Sequence, residues 1–292
     1  MKIFRYLAII LLICLFSSSG AFSQQYIPGQ IYYGRNNYVE YHAGDLPLIF
    51  SAPHGGNMTP AEIPDRTYGT TTTDSYTRET TLAIRNAVLN FTSHYPHIII
   101  SNLKRTKLDP NREIVEAAQG NPWAEQAWNE YHGFIELAKD SVTANFGKGF
   151  YVDIHGHGHA IKRLELGYLL SASTLSKTDE QLNSTYYINS SSIRALALEA
   201  SVDFAELLRG PKSLGTLFEE KGIPAVPSLS QPNPGSGNPY FSGGYSTRRH
   251  GSRDDGTISG VQIEAYKVGL RDTPANRMHY AQVITEVFDE FF

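Results

Sequence analysis

Four short apolar runs stand between longer polar stretches: LPLIFSA at 46–52, HIIISNL at 97–103, GFYVDI at 149–154 and GVQIEAY at 260–266, with ELGYLL at 165–170 a weaker fifth. Runs of this length, rich in branched and aromatic residues and flanked by turn formers, predict buried strands. Between them, apolar residues recur at helical spacing over 77–91, 122–144, 190–208, 213–221 and 274–292, which predicts helices there. Strands alternating with helices predict a single α/β domain, with a central mostly parallel or mixed sheet covered by helices on both faces. In such sheets ligands bind beyond the carboxyl ends of the strands. Polar residues of catalytic type stand in or just after all four main runs. The Ser-rich piece 184–192 reads as a loop leading into a helix cap. The Pro/Gly/Tyr-rich segment 227–256 offers no clear element, and a stretch of that length inside a compact domain reads as a lid.

Composition adds a compartment and removes some chemistries. Lys2 and Arg5 precede an apolar run at 7–16, and Ala21, Phe22 and Ser23 form an A-x-A-like site. This predicts a signal peptide over 1–23, a mature domain over 24–292, and a secreted or periplasmic protein. The run is shorter than the ~20 residues a membrane span needs, so no membrane association is expected after cleavage. The only cysteine, Cys14, lies in that leader, which leaves histidines and carboxylates as metal ligands. A net charge of −4 without any basic run argues against nucleic acid and for a small-molecule or peptide substrate.

The candidate chemistry centres on VDIHGHGH at 152–159. Strand alternation puts Asp153 and His155 on one side, and His155 then leaves the strand end among glycines. His155 is the expected metal ligand, with His157 and His159 behind it or facing solvent. SAPHGG supplies a second strand–His–Gly junction at His54. A catalytic zinc takes three protein ligands and keeps a position open, and two histidines plus one carboxylate is a common set. Asn57 occupies the place where a compact His-x-x-Glu motif has its acid, so the third ligand is sought at Asp74, then Glu62, with Asp65 also near. Asp74 could instead only cap the following helix. Glu264 sits in an otherwise apolar strand, so it is either paired, with Arg271 for instance, or the proton-transferring base, which is the reading adopted. In LKRTKLDPNRE at 103–113, Arg112 can grip a substrate carboxylate, Asn111 can add a donor and Arg105 can polarise a carbonyl. The bland alternative there is a turn held by a salt bridge from Asp109 to an arginine.

SAPHGG, LDPNR, VDIHGHG, GGYSTRRHG and VQIEAYKVGLR, in this order across residues 46–271, resemble the N-formylglutamate amidohydrolase family, distant relatives of the zinc carboxypeptidases. The resemblance implies a phosphorylase/hydrolase-like fold, one zinc per chain, and hydrolysis of an amide beside a carboxylate. It implies His54 and His155 as ligands, Asn111 and Arg112 as the carboxylate clamp, and Glu264 as the base. Tyr245 and Arg248 fall in the segment that reaches over the substrate in such enzymes. Export argues for a broader range than N-formylglutamate: N-acyl amino acids or peptide ends, cell-wall peptides among them. The competing expectation is a non-catalytic binding protein for acidic or peptide ligands on the same scaffold. A serine hydrolase is set aside, because no G-x-S-x-G elbow follows a strand.

Overall fold

Eight strands hydrogen-bond into one mixed sheet: β1 (Ile31–Tyr33), β2 (Val39–His42), β3 (Leu48–Ala52), β4 (His97–Ser101), β5 (Gly149–His157), β6 (Leu164–Gly167), β7 (Ala225–Val226) and β8 (Ile258–Tyr266). The structure is a computed structural model and describes residues 26–292; the expected signal peptide and Cys14 lie outside the described residues. The strand order is β1-β2-β4-β3-β5-β8-β6-β7. The central four, β4, β3, β5 and β8, run parallel. On the flanks, β2 pairs antiparallel with β4 and β6 antiparallel with β8, so the α/β class and mixed sheet expected from the strand–helix alternation are what the chain forms.

Period-two alternation sorts the side chains of the parallel core into two apolar layers. Phe50, Ile98, Ile100, Phe150, Val152, Ile154, Val261 and Ile263 face one layer, closed by the helices Thr77–Thr92 and Pro274–Phe291. Phe50 and Phe150 both meet Phe288 of the last helix, with ring centroids 5.8 and 5.6 Å apart. Burying an aromatic side chain of this kind contributes about 1.5–3 kcal/mol. Ile49, Ile99, Tyr151 and Ile258 face the other layer, under the helix Pro122–Phe146. That helix begins with Asn121 accepting from the backbone N–H groups of Trp123 and Ala124, and with Pro122 at a position where no amide is needed.

The second layer thins out toward the carboxyl ends of the strands, where its side becomes polar: Ser51, Asp153, His155, Gln262, Glu264 and Glu165 are all buried there. This is the end at which the functional residues gather.

Several elements differ from their sequence expectation. β1 and β2 are absent from it because the polar Glu40 and His42 interrupt the apolar pattern; both are buried, with Glu40 paired to Arg78 at 2.9 Å. The helix expected over 190–208 is two short ones, Arg194–Glu199 and Phe204–Arg209. Ser191 and Ser192 bind backbone groups instead of extending it, Ser192 Oγ donating to Gly260 O at 2.7 Å. The presumed loop 184–192 contains the helix Thr185–Ser190, and the presumed lid contains the helix Tyr245–His250.

Candidate metal centre

His54 follows β3 directly, His155 lies within β5, and Asp74 precedes the helix Thr77–Thr92, so the three come from separate parts of the chain. His155 does not leave the strand end as expected. β5 continues to His157, and the ladder to β8 places His155 directly opposite Glu264. The loop at Asp74 is tied down at both ends. Its N–H donates to His54 O at 3.2 Å, and Thr77 Oγ1 donates to Asp74 O at 2.9 Å. The residue capping the helix is Tyr76, which leaves the Asp74 carboxylate turned to the histidines.

Three atoms converge: His54 Nδ1, His155 Nδ1 and Asp74 Oδ2. Their separations are 3.1 Å between the histidines, 3.3 Å from His54 to Asp74 and 3.2 Å from His155 to Asp74. A tetrahedral ion with bonds of about 2.0 Å spaces its ligand atoms about 3.3 Å apart, so the triangle has the edges such an ion requires. The outer nitrogens explain why the inner ones are available. His54 Nε2 lies 2.6 Å from Asp109 Oδ1, and His155 Nε2 lies 2.8 Å from Asp153 Oδ2. Each carboxylate takes the Nε2–H and turns the Nδ1 lone pair inward, the arrangement that holds metal-binding imidazoles in place. Two lone pairs and a carboxylate facing one another call for a positive charge between them. The three residues could hold a metal ion.

The protonation tendencies agree with that reading. Burial opposes a charged His155, but Asp153 on one edge and Asp74 on the other outweigh it and raise its pKa well above the usual value. Burial likewise opposes ionised Asp74, and the two histidines outweigh it and push its pKa well below normal. The pocket thus favours one cation at the Nδ1–carboxylate junction, where a metal ion and a proton would compete.

Asp109 also receives Arg105 Nε at 2.9 Å, and Arg105 Nη1 lies 3.5 Å from Asp74 Oδ1. Arg105 therefore braces both the ligand Asp74 and the partner of His54, through the very Asp109–arginine pair weighed as the bland alternative. If the three residues hold a metal ion, replacing Asp153 by Asn should lower affinity for that ion about 10–100-fold, because the amide cannot hold the His155 tautomer in the same way. Competition titration with a zinc chelator reads this directly; unchanged affinity would remove Asp153 from the centre.

Glu264 is buried, with Oε1 4.0 Å from His155 Nδ1 and accepting from Gln262 Nε2 at 2.9 Å. Burial, reinforced by nearby Asp74 and Glu165, pushes its carboxyl up to about 8, against the pull of His155. Arg271 is not its partner. It donates to the carbonyls of Ala265 and Ser75, clamping the Asp74 loop to β8. Its guanidinium lies across β5 at Gly156, where any side chain would have to displace it.

The three converging residues and Glu264 open onto a cavity of about 370 Å³, whose walls include Arg105, Asn111, Arg112, His157, His159, Phe241, Gly243, Gly244 and Gln262. A larger groove of about 500 Å³ between the helices Thr77–Thr92 and Pro274–Phe291 is lined by Ala83, Ala87, Phe91 and Met278 and holds no histidine. Arg112 stands half-exposed at the cavity, with Nε 3.3 Å from Glu116. Asn111, expected to face the substrate, has its Oδ1 committed, accepting from Ser246 N at 2.8 Å, while its Nδ2 lies 3.3 Å from His155 Nε2, which gives its proton to Asp153 and cannot accept. Tyr245 and Arg248 are not brought into the wall. The Asn111–Ser246 bond fixes the start of the short helix, which packs the Tyr245 ring on His132 at 5.5 Å and leaves Arg248 exposed beside Asp254 at 3.6 Å. Phe241, Gly243 and Gly244 supply the wall from that segment instead. The other acids considered as ligands lie elsewhere, Glu62 bonded to Tyr38 and Asp65 paired with Lys107 at 2.9 Å. No local signal in the chain ties Asp109 to His54 or marks Glu165; the one readable signal is Asp153, two residues before His155 on the same strand face.

The fold and site define an α/β protein with a buried His–Asp–His cluster and a carboxylate beside it. No family model matches the sequence, and no curated protein matches it. Among solved structures, an N-formylglutamate amidohydrolase from Ralstonia eutropha JMP134 is similar, with TM-score 0.51 and 11% identity over 86% of this chain and 96% of that one. The gene product Atu2144 from Agrobacterium tumefaciens gives TM-score 0.50 and 12% identity over 87% and 94% of the two chains. Both likenesses show a shared fold.

Proposed function

We propose that the protein is a zinc-dependent amidohydrolase that cleaves the amide bond of an N-acyl amino acid or peptide end beside a carboxylate, acting outside the cytoplasm. The observation that carries this reading is the triangle of His54 Nδ1, His155 Nδ1 and Asp74 Oδ2 with edges of 3.1–3.3 Å, each histidine backed by its own buried carboxylate. The family resemblance of the motifs and the shared fold support it. His54, Asp74 and His155 would hold one zinc, which when bound supplies Lewis acidity toward the scissile carbonyl and lowers the pKa of water.

The chain's own residues do the rest. Glu264, on the strand next to His155, accepts a proton from the attacking water and returns it to the departing amine. Its buried position keeps it close to neutral range, as a group that must both take and give a proton requires. Arg112 holds the substrate carboxylate with a two-pronged hydrogen bond, exchanging its partner Glu116 for the ligand. Arg105, braced against Asp109 and Asp74, keeps donors free on a guanidinium that has five and turns them to the carbonyl oxygen.

The test is hydrolysis of N-acyl glutamates and short peptides by the zinc-supplemented protein, with and without chelator, beside Arg112→Ala. Chelator should abolish turnover reversibly. The variant should raise KM for carboxylate-ended substrates about 10–100-fold and leave the corresponding amides, already poor, unchanged. Turnover insensitive to chelator would overturn the reading. Ligand binding that survives metal removal, with no turnover of any substrate, would place the protein with the non-catalytic binders.

A further inference from the structure

The cavity is electrically lopsided. Arg105 and Arg112 come from the loop after β4, on one side of the His54–His155 pair. On the other side, β8 and β6 contribute Glu264, Gln262 and, behind the wall, Glu165, which stands directly opposite Glu264 in the ladder. The strand order β4-β3-β5-β8-β6 therefore places a cationic flank and an acceptor-rich flank on either side of the candidate metal ligands.

On the acceptor flank, His159 and Glu165 form a built pair. His159 Nδ1–H donates to Glu165 Oε1 at 2.7 Å, Glu165 Oε2 accepts from Phe241 N at 2.7 Å, and the two rings stack at 4.7 Å. The pairing leaves the opposite ring nitrogen, His159 Nε2, without a protein partner among the described residues, on a side chain that lines the cavity. Gln262, in the same wall, gives its amide N–H to Glu264 and keeps Oε1 buried with no donor. An orphaned buried acceptor of this kind calls for an N–H or ammonium. Arg163 does not fill that need. Its guanidinium is directed to Gln231 Oε1 at 3.2 Å and Pro234 O at 3.0 Å.

A second metal ion fits less well. His157 donates from Nε2 to Arg163 O at 2.8 Å, and its Nδ1 accepts from His159 N at 3.1 Å, so it has no free lone pair. The 2.7 Å approach of His159 to Glu165 is that of an N–H bond, shorter than any edge of the His54–Asp74–His155 triangle.

We propose that His159, held by Glu165, together with Gln262 receives an ammonium group on the acyl side of the substrate, so that the preferred substrates are bipolar: an amine on the acyl residue and a carboxylate on the leaving one, as in a short peptide with a free amino terminus. The proposal rests on the amidohydrolase reading for the direction in which the substrate lies. His159, in the loop between β5 and β6, and Gln262, two residues before Glu264 on β8, line the same cavity as Glu264.

The test uses two uncleavable ketomethylene analogues, of L-alanyl-L-glutamate and of N-propionyl-L-glutamate, which differ only in the ammonium group. Titration calorimetry on the zinc-supplemented protein should show the amine-bearing analogue binding at least about tenfold more tightly. His159→Phe, which keeps the stack on Phe241 and loses the nitrogens, should erase that preference and leave the propionyl analogue bound as in the parent protein. Should His159→Phe bind neither analogue, His159→Gln, with an acceptor on a flexible stem, is expected to keep part of the preference, and its complete loss there with intact propionyl binding also supports the proposal. Equal binding of the two analogues by the parent protein, or a preference that survives either substitution in full, overturns it. Hydrolysis of the two parent amides is followed separately. An amine preference in binding without hydrolysis keeps this inference and overturns the amidohydrolase, whereas equal binding with hydrolysis of both does the reverse.

Discussion

Glu264→Gln is expected to lower kcat/KM for an N-acyl glutamate about 10²–10⁴-fold while zinc content stays at one per chain. The amide is close in size to the carboxyl, and the side chain sits between Gln262 and His155 in a buried strand, so packing is preserved. What disappears is the ability to take a proton from water and hand it to the leaving amine. Steady-state kinetics with zinc measured on the same sample separates this from loss of the metal. Full activity in the variant would remove Glu264 from the mechanism.

The double substitution His54→Ala/His155→Ala is expected to reduce bound zinc from one per chain to almost none, and turnover with it. Two of three ligands are lost, and one remaining carboxylate cannot close a tetrahedral site. The same change leaves Asp109 and Asp153 buried without their imidazole partners. Of the two, Asp109 keeps Arg105, while Asp153 keeps Ser51, whose hydroxyl donates to it at 2.6 Å. Breaking a buried charged pair costs about 3–5 kcal/mol, so a lower urea midpoint accompanies the loss of metal. Elemental analysis decides the point. A parent protein that takes up no zinc even when it is supplied would end the hydrolase reading, and the non-catalytic binding protein would replace it.

The two substitutions probe residues of different visibility in the chain. His54 and His155 could be picked out because each follows an apolar run and is followed by glycine, and Glu264 because a carboxylate in an apolar strand needs a reason to be there. Asp74 ranks ahead of Glu62 in the sequence, but a capping role stands nearly level with a ligand role there, since nothing local separates an acid that caps a helix from one that faces a histidine. The carboxylates behind the ligands were less legible still. For Asp109 the sequence offers, as the bland alternative, a pairing with an arginine, which it does make with Arg105, but its other oxygen holds His54 from a loop 55 residues away. Arg105, Asn111, Tyr245 and Arg248 were placed by residue type and motif, which say what a side chain can do and not what it meets. Arg105 meets Asp109 and Asp74, Asn111 meets Ser246, and Tyr245 is packed against His132.

Hydrophobic periodicity is a local property that burial reads directly, so the four apolar runs that become β3, β4, β5 and β8, the main helices between them and the polar character of the strand ends were legible in the chain. Only the tertiary structure decided that β5 runs on to His157, so that His155 faces Glu264, and that the Asp74 loop is folded back beneath Arg271. It alone set Arg112 and the His159–Glu165 pair on opposite flanks of one cavity. These are matters of register and strand order, fixed by hydrogen bonds between segments far apart in the chain, and no local pattern carries them.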